Sequence, residues 1–238
     1  MKRTLTGLLL GMFLAVWGGA VHTQDYEQDF QRAVEAAQNG DFETAFRLWL
    51  PMAELGFASA QASLGILYNR GYGGPQSNAE AAKWYRLAAE QGDALSQTNL
   101  GLAYYDGRGV RQDYAEALKW FRLAAEQGDA YAQTNLGLMY FTEKGVPQDF
   151  AEAVKWWRRA AEQGFAPSQT SLGVMYASGR GVIQDIVYAH MWANIAASLG
   201  DEKGKGLRDE IAREMTPEQL AEAQRLARDC VAKNYQGC

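Results

Sequence analysis

Residues Ala94–Gly128 read ALSQTNLGLAYYDGRGVRQDYAEALKWFRLAAEQG, and the chain carries the same pattern once before this stretch and twice after it. Gln61, Gln97, Gln133 and Gln169 follow one another at intervals of 36 residues, as do Gly65, Gly101, Gly137 and Gly173. Tyr68, Tyr104, Tyr140 and Tyr176 keep the interval, and so do Trp84, Trp120, Trp156 and Trp192. Gly92, Gly128, Gly164 and Gly200 close each unit. A fixed period of this length is produced by one supersecondary unit stacked on copies of itself.

Each unit reads as two helices. Leu100, Gly101 and Tyr104 have helical spacing, and the pattern breaks at Gly107-Arg108-Gly109. From Tyr114 to Gln127 the apolar stripe is Ala117, Trp120, Phe121, Ala124 and Ala125. Asp113 suits an N-cap, with Glu116 in capping-box position. Gly128 suits the C-terminal stop, because glycine enters positive φ without steric cost. Gly101 and the Ala124–Ala125 pair let two helix backbones approach closely, and Trp120 is expected to fill the space beside them. Burying one such ring, roughly 150–250 Å² at about 25 cal/mol per Å², contributes at most roughly 4–6 kcal/mol. A single helix pair cannot cover both of its faces, so stability has to come from neighbour stacking on neighbour.

The pattern A-x-A-Q-x-x-L-G-x-x-Y…G-x-G-V…D…A…W…A-A-x-x-G resembles the Sel-1-like repeat, a subfamily of the tetratricopeptide-type repeats. That resemblance implies an all-α fold, an α/α solenoid wound as a right-handed superhelix, with repeats at 58–93, 94–129, 130–165 and 166–201. The departures are local. Unit one has Gly73-Gly74-Pro75 and Ser77 where other units have Gly-Val and an aspartate. Unit three has Glu143-Lys144-Gly145, without the first loop glycine, and Pro167 sits near the start of unit four.

Outward from the repeats, Tyr26–Asn39 and Phe42–Leu55 read as a helical pair, an N-terminal cap over 26–56. The first 20 residues read as a secretory signal peptide: Lys2 and Arg3, the apolar run Leu8–Trp17, then Gly18-Gly19-Ala20 for cleavage. That run is shorter than the roughly 20 residues of a membrane-spanning helix. Attachment to a membrane would come only through this segment, were it left uncleaved. The expected location is the periplasm or the exterior of a bacterium. Beyond Gly200 the period stops, and 202–238 reads as C-terminal capping helices with a disulfide tail. Glu202–Met215 is a helix weakened by Gly204 and Gly206, and Thr216-Pro217-Glu218-Gln219 opens another. Cys230 and Cys238 are the two cysteines, and in a secreted chain they most simply pair. Closing so short a loop contributes roughly 2–3 kcal/mol in the chain-entropy picture. The turn back would follow Lys233, with Gly237 permitting it.

Composition narrows the function. The net charge is −5, and removing Lys2 and Arg3 with the leader takes it to −7. No basic stripe appears, so nucleic acid is not an expected partner. His22 and His190 are the two histidines, and no Cys/His cluster suggests a metal. The Gly107-Arg108-Gly109 and Gly179-Arg180-Gly181 loops lack the Lys-Ser/Thr of a phosphate-binding loop and read as interhelical turns. No nucleophile–base pair can be assembled, and neither a catalytic residue nor a cofactor is expected. The alternative reading is a cell-wall-related enzyme or penicillin-recognising protein, because some cysteine-rich members of the wider family are linked to penicillin binding. This chain lacks their in-repeat cysteine pairs.

The expectation is therefore a non-enzymatic scaffold of the bacterial envelope that binds a peptide or protein segment on its inner face. If the first helices line that face, positions 59, 62, 66, 69 and 70 and their equivalents point toward it. Ile66, Leu102, Leu138 and Val174 are apolar in every unit and suggest partial burial between repeats. In the middle repeats, Leu95, Thr98, Tyr105, Tyr131, Thr134 and Phe141 form the candidate partner-binding set.

Overall fold

The structure, a computed structural model, describes residues 23–238. The leader expected at 1–20 and His22 lie outside them. Among the described residues every regular element is an α-helix: α1 (Thr23–Gln38), α2 (Phe42–Glu54), α3 (Ala58–Arg70), α4 (Asn78–Glu90), α5 (Ala94–Asp106) and α6 (Tyr114–Glu126). The second half holds α7 (Ala130–Thr142), α8 (Phe150–Ala161), α9 (Ala166–Ser178), α10 (Ile186–Ser198), α11 (Glu202–Ala212) and α12 (Pro217–Ala232). Each helix from α1 to α10 packs on the next in sequence, and α12 packs on α10. The stack is a solenoid of helical hairpins.

Small residues set the packing inside a hairpin. A Cβ on Gly101 would lie 2.7 Å from the Phe121 ring. Gly137 has the same relation to Trp157 at 2.7 Å, and Gly65 to Tyr85 at 2.5 Å. The ring that fills the space over Gly101 is thus Phe121, and not Trp120 as expected from the stripe. Trp120 faces the other way, into the cluster of Tyr85, Ala89 and Leu100 at the boundary with the preceding repeat. A helical stripe is wide enough to touch two neighbours, and adjacent stripe positions divide between them.

The loops lock repeat to repeat. Gly73, Gly109, Gly145 and Gly181 sit against the carbonyls of Phe42, Asn78, Tyr114 and Phe150, the first residues of the preceding second helices. A Cβ on Gly145 would come within 2.6 Å of the Tyr114 oxygen. These glycines are contact points between repeats. In unit three the missing first glycine leaves Glu143 to close α7 at φ 58, in the left-handed region.

The caps differ in detail from their sequence signatures. Asp113 accepts from the N–H groups of Ala115 and Glu116, but the Glu116 carboxylate turns to the Trp120 indole N–H at 3.1 Å instead of completing a capping box. The reciprocal box does form at α12 between Thr216 and Gln219. Gly204, expected to weaken α11, is buried, and a Cβ there would lie 2.7 Å from the Ala196 methyl. It lets α11 lie close on α10.

The structure joins Cys230 to Cys238. The chain turns back directly after Lys233, with Asn234 (φ 51) and Tyr235 (φ 66) in the left-handed region as well as Gly237. Tyr235 lies over Gly164, and the Gln236 amide donates to the Glu162 carbonyl at 2.7 Å. The tail therefore seals the turn between α8 and α9.

Candidate interaction face

First helices touch first helices. Thr98 on α5 donates to the carboxylate of Asp129, the N-cap of α7, at 3.1 Å. Thr134 on α7 meets Ser168 on α9 at 2.7 Å, and Thr170 on α9 donates to Asp201, the N-cap of α11, at 3.1 Å. α3 likewise lies against α5, and α9 against α11. Second helices reach instead to the next first helix: Arg86 donates to the Tyr104 hydroxyl, Arg122 to Tyr140 at 2.9 Å and Arg158 to Tyr176 at 2.6 Å. α3, α5, α7 and α9 thus form one continuous wall, the face expected to be the inner one.

A second ladder runs along the turn edge. Gln61, Gln97, Gln133 and Gln169 donate to the carbonyls of Ala53, Ala89, Ala125 and Ala161 at 3.0–3.2 Å. Gln91, Gln127 and Gln163 then donate to the side-chain oxygens of Gln61, Gln97 and Gln133 at 2.8–2.9 Å. Leu199 occupies the next place in this second row, and the fully buried Gln169 Oε1 has no partner. The row was readable from the period alone, since Gln91, Gln127 and Gln163 recur at 36 residues.

The inner wall is almost free of charge. α7 and α9 contain no charged residue, α5 only Asp106 and α3 only Arg70, each of these two at the end of its helix. The second helices of the first three repeats carry Lys and Glu pairs at the same register: Lys83–Glu80, Lys119–Glu116 and Lys155–Glu152. Charge is thus segregated to the outer side. Most polar donors on the inner wall are already committed to their own helix. Ser63, Asn99, Asn135 and Ser171 donate to the carbonyls of Ser59, Leu95, Tyr131 and Pro167 at 2.8–2.9 Å.

The six candidate residues fall into three environments. Leu95 and Tyr131 are on the surface, 50% and 57% exposed. Tyr105 and Thr134 are half-buried. Lys144 donates to the Tyr105 hydroxyl at 2.9 Å and lies over the Tyr105 and Tyr114 rings, and that bond holds the Lys144 ammonium pKa above its ordinary value. Thr98 corrects the expectation, while Phe141 is half-buried like Tyr105. Thr98 is buried, with its hydroxyl spent on Asp129. Phe141 packs on Phe150 and Trp157 at the edge of the core. Helical spacing placed both on the right side of the helix, but position 62 and its equivalents contact the next first helix, and position 69 and its equivalents contact their own hairpin partner.

A cleft of about 500 Å³ deepens the wall where repeat four meets α11, lined by Leu138, Trp157, Pro167, Thr170 and Lys203, with Thr134 at its margin. The outer side has a larger cleft of about 810 Å³, lined by both signs of charge, Arg86, Arg111 and Lys119 with Glu90, Asp113 and Glu116, of which Lys119 and Glu116 pair. Among the described residues no group of three or more His, Cys, Asp or Glu side chains could hold a metal ion. His190 is buried between α10 and α11 with Nδ1 unpartnered. Burial, and secondarily Arg208, lower its pKa, while Asp209 opposes the shift.

Comparison with known proteins places this geometry. The Sel1 repeat profile matches residues 58–93, 94–129, 130–165 and 166–201. The crystal structure of c5321, a protective antigen present in uropathogenic Escherichia coli strains and displaying an SLR fold, is similar at 33% identity and a TM-score of 0.77. That match covers 90% of this chain but 50% of the other, so the chain spans about half the length of that structure. A Sel1 repeat protein from Oxalobacter formigenes is similar at 32% identity and a TM-score of 0.69, covering 86% of this chain and 74% of that one. A sel1 repeat protein from Klebsiella pneumoniae shares the fold at 22% identity and a TM-score of 0.51, over 79% of this chain and 93% of the other. No curated protein matches.

Proposed function

Because the chain belongs to the Sel1 repeat family, whose members generally act as protein-interaction scaffolds, we propose that its inner wall is the surface that takes a polypeptide partner. The observation that carries this reading is the segregation of charge. Four successive first helices present apolar and neutral polar groups, while the second helices carry the solubilising ion pairs. An exposed apolar strip on an otherwise charged molecule marks an interaction surface. Leu95 and Tyr131 are the exposed anchors on it, and a few such large side chains carry most of an interface's affinity.

The place of action we propose is the bacterial envelope. The Cys230–Cys238 pairing suits an oxidising compartment, as does a leader at 1–20. Among the described residues no helix is long and apolar enough to cross a membrane. The reading is tested by capture from envelope extract with the purified protein and with a Leu95→Ser/Tyr131→Ser variant. Both positions are solvent-facing, so the helical circular dichroism stays unchanged while capture is lost. Equal capture by the variant would remove the inner wall from the reading.

A further inference from the structure

The chemistry of the inner wall says more about its partner than that it is a polypeptide. Two things that anionic recognition needs are missing over four repeats. No cation stands on α5, α7 or α9; Arg70 is the last residue of α3, and Lys144, in the loop after α7, is taken up by the Tyr105 hydroxyl and the Tyr105 and Tyr114 rings. The side-chain donors that could replace a cation are largely used: Ser63 and Ser171 donate within their own helices, as do Thr142 to Leu138 and Ser178 to Val174, and Asn99 and Asn135 each spend one of their two amide N–H groups the same way. A partner carboxylate placed here would lose its water and gain neither charge nor a full set of donors, which is costly.

The mouth of the 500 Å³ cleft adds a second bias in the same direction, since Asp201 and Glu202 stand at it against Lys203 alone. What the wall does offer is a row of neutral polar side chains, Ser63, Asn99, Asn135 and Ser171, at one-repeat intervals. Beside it run Leu95, Leu102, Tyr131 and Leu138, and the cleft is floored by Leu138 and Trp157. Neutral polar groups in a row suit the backbone amides of an extended chain, and the apolar strip suits its side chains.

We propose that the occupant is an extended, uncharged peptide segment bearing large apolar side chains, one of which enters the cleft between α9 and α11, and that neither acidic residues nor a C-terminal carboxylate take part in its recognition. This rests on the inner-wall reading and narrows it. Because no ion pair crosses the interface, affinity is nearly independent of ionic strength.

The test is selection of a random displayed-peptide library on the purified protein, followed by calorimetry on synthetic versions of the enriched peptides. The expected peptides are enriched in aromatic and long aliphatic residues and depleted in Asp and Glu. Amidation of their C-termini leaves binding unchanged. Their affinity changes by less than about twofold between about 0.05 M and about 0.5 M salt. Leu95→Ser/Tyr131→Ser weakens them by about tenfold or more, whereas Lys83→Ser/Lys155→Ser on the outer side has no effect. Acidic consensus peptides, or binding that needs a free C-terminal carboxylate, would overturn the proposal while leaving the inner wall as the site, provided the inner-wall variant still weakens them. Peptides weakened only by the outer-side variant, or no enriched peptide at all, would overturn both readings.

Discussion

At Gln169 one substitution between repeats leaves a visible consequence. Its Oε1 is buried and unpartnered because Leu199 stands where Gln163 stands for Gln133. A buried acceptor without a donor costs about 1–3 kcal/mol. Leu199→Gln restores the donor and gives up little apolar burial, since Leu199 is 46% exposed. The variant should be more stable by about 1 kcal/mol in urea unfolding, and an unchanged midpoint would mean the glutamine ladder contributes nothing there. His190 gives a second residue-scale prediction. Its folded-state pKa lies below the unfolded value of 6.5 because burial disfavours the imidazolium. The unfolded chain therefore binds more protons, and stability falls as pH drops below about 6.5, levelling off beneath the folded pKa. Urea unfolding at about pH 7.5 and about pH 5.5 should show this loss, and His190→Gln should flatten it. The His190 effect was hidden in the sequence: the residue could be placed on a helix, but its burial depends on which helices pack on α10.

The helical hairpins were legible at the scale of elements, because a 36-residue period with glycine stops at fixed offsets admits few other readings. Less legible was which glycine does what. Gly109 and Gly128 look alike in sequence, and both adopt positive φ, 75° and 98°. A Cβ on Gly128 would meet open space, while one on Gly109 would run into the Asn78 carbonyl of the preceding repeat. Substituting each with alanine separates backbone strain from collision. Gly128→Ala should cost about 1 kcal/mol and Gly109→Ala roughly 2–3 kcal/mol more. Equal losses would show that the loop glycines do not hold the repeats together. The exchange of roles between Trp120 and Phe121 has the same origin, since periodicity gives a face but not which neighbour lies against each part of it. Thr98 was misplaced for that reason, whereas Leu95 and Tyr131 reached the surface from the helix start, where Tyr131 still meets the Phe165 ring edge-on at 5.1 Å.

For the whole molecule, stability is a sum along the stack, and its ends are the weak points. At the C-terminal end the tail carrying Tyr235 and Gln236 covers the Gly164 turn and is held there by Cys230–Cys238. Reduction should lower stability by roughly 2–3 kcal/mol and raise amide exchange first around α9 and α12, with α3 to α6 unaffected. A uniform rise along the chain would mean that the solenoid unfolds as one unit. The claim on which function depends is that the inner wall, and not the charged outer side, receives the partner. Methyl chemical shifts on titration with a selected peptide test it most directly, because apolar methyls of similar exposure stand on both sides. Perturbation of Leu95, Leu102, Leu138 and Val174 with Leu87 and Leu123 unmoved is the predicted result; shifts confined to Leu87 and Leu123 would contradict it.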